Sequence, residues 1–115
     1  MTIQAKRSSA AAALVELRAS YALSRATLAE LLGVAEATLA NWEIKAPGAA
    51  PLIKIKKVEK ILNRLARVMK TDYIPTWLTS PNNACDGRTP AACLKDGDYQ
   101  TVEDLVYFLQ AGEPV

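Results

Sequence analysis

Residues 24–43 read SRATLAELLGVAEATLANWE, two short helical patterns separated by one glycine. Ser24 stands where an N-cap is needed, its hydroxyl placed to accept a first-turn amide. Leu28, Leu31 and Leu32 recur on one face, so a helix opens at this cap with those three residues inward. Gly33 suits the left-handed turn that closes it. Two residues later a second helix, EATLANWEI, turns Leu39 and Trp42 inward. Helix, tight turn and helix form the arrangement that presents a second helix to a DNA major groove.

Working outward, residues 9–20 read as a helix with Leu14 and Leu17 on its core face. Residues 45–51, KAPGAAP, read as a loop because of Pro47, Gly48 and Pro51. A long helix is expected over residues 53–70. Ile55, Val58, Ile61, Leu62, Leu65 and Met69 form one apolar stripe, and its other faces are strongly basic. That basic face serves DNA, solubility or the rim of a dimer. The stripe itself fits a core or a dimer seam.

From Asp72 the chemistry changes. DYIPTWLTS reads as a short helix with Pro75 in its first turn, and PNNACDG as a turn-rich break. Thr89, Pro90 and Gly97 mark the cap, first position and end of another helix. Asp98 caps a last helix, YQTVEDLVYFLQA, with Val102, Leu105, Val106 and Leu109 inward and Gly112 stopping it. No segment alternates like a strand, so the fold class expected is all-α.

The chain has 115 residues and a formal net charge of +2, but the charge is unevenly placed. Residues 1–70 carry twelve Lys/Arg against five Glu, and residues 71–115 carry two against seven acids. A basic half for a polyanion and an acidic half for another partner is one reading; separate solubilisation of each half is the other. The chain has no His, which excludes His-based catalysis and His metal ligation. Cys85 and Cys93 lack the further ligands a zinc site needs, and they read as small buried hydrophobes. Their spacing permits a disulfide, but the Ala-rich start is closed off by Glu16 and Arg18 and does not read as an export signal. A cytoplasmic location with reduced thiols, no membrane span and no cofactor is therefore expected. With no paired carboxylates on one helix face and no Gly-rich phosphate loop, no enzyme is expected either.

Two resemblances add to this reading. Residues 24–43 resemble the Xre/lambda-repressor-type helix-turn-helix at Leu28-Ala29, Leu32-Gly33-Val34, Thr38-Leu39 and Trp42-Glu43. That likeness implies DNA binding. Thr38 would meet a phosphate or thymine methyl and Asn41 an adenine, with Arg25 and Lys45 on phosphates. Glu36, Ala37 and the lack of an Arg in the second helix depart from that pattern. Further on, Trp77-Leu78, Pro81-Asn82, Gly87-Arg88-Thr89-Pro90, Leu94 and Gly97, with the amphipathic helix after them, resemble the toxin-binding domain of the Xre/MbcA/ParS antitoxin family.

The two together imply three segments: residues 1–52 a helix-turn-helix domain, 53–71 a connecting helix, and 72–115 a toxin-binding domain. They imply an antitoxin of a type II toxin–antitoxin system whose partner is a RES-domain toxin that consumes NAD. Tyr107, Gln110, Gly112, Glu113, Pro114 and Val115 would approach the toxin's active-site entrance. Arg88 would serve as an internal hydrogen-bond donor. A homodimer within a larger hetero-oligomer, repressing its own operon, is the assembly implied. The alternative is a stand-alone Xre-type transcriptional regulator.

Overall fold

Ser24 accepts a hydrogen bond from the Thr27 amide at 3.0 Å, and Gly33 takes φ +69 to close the helix that Ser24 opens. This second helix (α2, Arg25–Leu32) follows α1 (Ser9–Ser20) and precedes α3 (Glu36–Trp42). The computed structural model describes residues 9–112. After α3 come α4 (Ala49–Leu65), a 3-10 turn (Thr71–Tyr73), α5 (Ile74–Leu78), a second 3-10 turn (Asn83–Cys85), α6 (Pro90–Lys95) and α7 (Tyr99–Gln110). Among the described residues there is no strand, and the fold is all-α.

Three helix extents differ from those expected: the start of α4, its end, and the helix over 72–80. Residues 45–51 were expected to be a loop, but α4 already begins at Ala49. Pro51 is harmless there, because first-turn amides have no intrahelical acceptor to lose. The same helix ends at Leu65 rather than Lys70. Beyond it the chain tightens, the amides of Val68 and Met69 both bonding to the Leu65 carbonyl at 3.0 Å. The helix expected over 72–80 is a 3-10 turn followed by the five residues of α5.

One core runs through every helix. Leu14 and Leu17 of α1, Leu28, Leu31 and Leu32 of α2, and Leu39 of α3 are buried in it. So are the α4 stripe, Ile74, Leu78, Cys85, Cys93, Leu94, Val102, Leu105 and Val106. Met69, Trp42, Trp77 and Leu109 lie partly buried against it. Helix α2 packs on α6 as well as on α3 and α4, so the basic and acidic halves share an interior.

Gly33 marks that junction. A Cβ added there would lie 3.0 Å from the Lys95 carbonyl oxygen and 2.9 Å from Lys54 Nζ. The lysine tip can swing away; the backbone carbonyl cannot. Gly33→Ala therefore combines a positive-φ penalty with a backbone clash, and should cost about 1–3 kcal/mol in a denaturant titration.

Candidate functional site

Three surfaces hold the residues singled out above. On the first, α3 presents Glu36, Ala37 and Asn41 to solvent with Thr38 half-buried beside them, and Lys45 lies exposed beyond its end. Thr38 and Asn41 thus share the outward side of one helix. Arg25 is held differently. Its Nε and Nη2 donate to Glu43 Oε1 at 3.2 and 3.0 Å.

Glu43 is also gripped by Arg18, with Nε to Oε2 at 2.6 Å and Nη2 to Oε1 at 3.1 Å. The Glu43 side chain is only 5% exposed, so two guanidiniums clamp one buried carboxylate and tie α1, α2 and the end of α3 together. Burial pushes this carboxyl up, but the hydrogen bonds and charges of Arg18 and Arg25 outweigh it and hold the group below the usual carboxylate range. The stability it gives is complete above the ordinary glutamate pKa and is lost as pH falls through the depressed folded value. Glu43→Gln should cost about 2 kcal/mol at neutral pH and flatten the acid limb of a stability-versus-pH curve. Arg18 was not legible from the sequence, since it stands 25 positions from its partner.

The second surface is the end of α7. Tyr107 is 62% exposed and Phe108 is 40% exposed, their rings edge-to-face with centroids 5.8 Å apart. Gln110 Oε1 accepts from Arg64 Nε and Nη2 of α4 at 3.1 and 2.9 Å. Gly112, exposed at φ +79, follows the helix end. Glu113, Pro114 and Val115 lie outside the described residues. Phe108 was missed by the sequence reading, although its position between the inward residues Leu105 and Leu109, off their stripe, was there to find.

The third surface is the frame that carries α7. Asn82 accepts from the Ala84 amide at 3.0 Å, and its own amide donates to the Arg88 carbonyl at the same distance. Arg88 donates to the Cys85 carbonyl at 3.4 Å, Asp96 at 3.2 Å and Asp98 at 3.5 Å. Thr89 and Asp98 cap α6 and α7. Cys85 and Cys93 are buried free thiols in contact. Burial and the neighbouring Cys93 push Cys85 up to about 12, so it stays a thiol and packs as an apolar residue.

Beside α2 and α3 lies a cleft of ≈ 310 Å³ lined by Leu32, Val34, Trp42, Pro51 and Lys54, with a single charged group on its wall. Among the described residues no group of three or more Cys, Asp or Glu is placed to hold a metal ion. No described helix is long and apolar enough to cross a membrane.

An all-α chain in which α2 packs on α6 and α4 on α7 is a fold with a solved counterpart. The crystal structure of the M. tuberculosis MbcT–MbcA toxin–antitoxin complex contains a chain that matches with a TM-score of 0.75. The match covers 91% of this chain and 96% of that one at 22% identity, and it is a likeness of fold. In sequence, 52 residues are 35% identical to the mycobacterial cidal antitoxin MbcA of Mycobacterium tuberculosis and of Mycobacterium bovis. That alignment covers 45% of this chain and 46% of the relative, so it spans about half the length of the curated relatives. No family model matches the chain.

Proposed function

We propose that this chain is the antitoxin of a type II toxin–antitoxin pair and that its partner is a RES-domain toxin that consumes NAD. The observation that carries this reading is the exposed Tyr107–Phe108 pair at the end of α7, on a chain similar in sequence to MbcA. A soluble helix gains nothing from holding two aromatic rings in water; such pairs anchor protein interfaces. Tyr107, Gln110 and Gly112 lead into Glu113, Pro114 and Val115, and the Glu113 carboxylate suits the basic residues that a NAD site keeps for phosphates. The antitoxin then acts by occupying the entrance to the toxin's cleft, and the chain itself carries no catalysis.

In this reading residues 72–115 form the toxin-binding part, residues 1–52 the helix-turn-helix part, and 53–71 the connection. Thr38 and Asn41 face operator DNA, with Arg25 and Lys45 nearest its phosphates, and a homodimer within the complex matches a two-fold site. The test is co-purification of the tagged chain with the product of the adjacent reading frame. A stable complex is expected, and removal of Glu113–Val115 should weaken it. Separate elution of the two full-length proteins would overturn the reading.

A further inference from the structure

We propose that the solvent face of α4 is a docking strip for the phosphate backbone of duplex nucleic acid. The inference goes beyond toxin neutralisation; it deepens the DNA-binding part of the proposed function, on which it rests, and shifts the main electrostatic contact from Arg25 to α4.

The face is defined by what surrounds it. Ile55, Val58, Ile61, Leu62 and Leu65 turn into the core. On one flank the Tyr21 hydroxyl of the α1 end donates to Asn63 Oδ1, and Glu59, the single acid of α4, acts on Tyr21. On the other flank Lys57 Nζ lies 5.1 Å from the centre of the Tyr99 ring, and Arg64 bonds Gln110. Between the flanks run Lys56 and Lys60, with Arg67 just past the helix end, all exposed.

Among the described residues, none of these three has a carboxylate at ion-pair distance. The contrast with other cations is sharp. Arg18 and Arg25 share the one carboxylate of Glu43, and Arg88 pairs with Asp96 and Asp98. The recognition helix α3 contains no cation at all. Among the described residues Lys45, Lys70 and Lys95 are exposed and unpaired as well, but the longest run of available positive charge lies on α4 and just past its end.

At about 1.5 Å of rise per residue, Lys56 and Lys60 stand about 6 Å apart, and the strip to Arg67 runs about 16 Å. Phosphates advance about 3.4 Å per strand along a duplex, so a line this long can meet several. A membrane fits poorly, because the apolar face of α4 is already spent on the core. A protein partner fits poorly too, since lysines are depleted where protein interfaces are buried.

The test is a salt series of binding to a labelled duplex of scrambled sequence. Three proteins are compared: the wild-type chain, the Lys56→Gln/Lys60→Gln/Arg67→Gln variant, and the Thr38→Ala/Asn41→Ala variant. The triple variant should bind at least tenfold more weakly and lower the slope of log K against log salt by about 2.7, at ~0.9 per phosphate contact. The double variant removes no charge, so it should weaken binding to the upstream duplex while leaving the salt slope on scrambled duplex at the wild-type value. Equal affinity for scrambled and upstream duplexes, with the triple-variant loss intact, would remove operator reading while supporting the strip. Wild-type behaviour of the triple variant would overturn the proposal. So would failure of the wild-type chain to bind duplex, or equally tight binding to polyglutamate or to phosphatidylserine vesicles.

Discussion

Leu28→Ala should destabilise the chain by about 3–4 kcal/mol and lower the melting temperature by roughly 15 °C. Leu28 is fully buried in α2, the helix that packs on α3, α4 and α6 together. The cavity left by truncation therefore lies in the interior common to both halves. The two tryptophans report on them separately, Trp42 at the end of α3 and Trp77 within α5, each partly buried against the core. With single-tryptophan variants, the two denaturation curves should coincide before and after the substitution. A Trp42 curve that shifts while the Trp77 curve stays in place would show two independently folding units.

Tyr107→Asp should remove neutralisation while leaving the fold untouched. At 62% exposure the tyrosine contributes little to the core, so stability should change by no more than about 0.5 kcal/mol. At an interface, a central tyrosine is worth about 2–4 kcal/mol, which corresponds to roughly 30- to 1,000-fold in affinity. An aspartate at that point also has to be desolvated beside a partner. Circular dichroism checks the fold, and titration with the purified toxin reads the affinity. An unchanged affinity would exclude the exposed side of α7 from the interface.

Much of this was open to a sequence reading, for reasons that differ from residue to residue. Ser24, Gly33, Thr89, Pro90 and Asp98 act through local geometry, and their capping roles follow from identity and position alone. The α4 stripe announced its buried face through periodicity. Pro51 misled because its effect depends on whether a helix has already begun, and three residues earlier Gly48 had already set that start.

Partners distant in sequence were invisible. Glu43 matched a helix-turn-helix position, but its clamp by Arg18 and Arg25 exists only after three helices assemble. Gly33 was expected for its turn, whereas its close approach to the Lys95 carbonyl needs the fold. Arg88 was expected to donate internally, and its bonds to the Cys85 carbonyl, Asp96 and Asp98 agree. Of the residues proposed to approach a toxin, Tyr107, Gln110 and Gly112 are exposed at the end of α7, and Glu113, Pro114 and Val115 lie outside the described residues.

The most direct test is a growth-rescue experiment with the reading frame adjacent to the gene for this chain. Expressed alone, that neighbour should arrest growth and deplete NAD; co-expressed with the wild-type chain, it should do neither. A harmless neighbour, or an arrest that persists despite equal expression of this chain, would contradict the account.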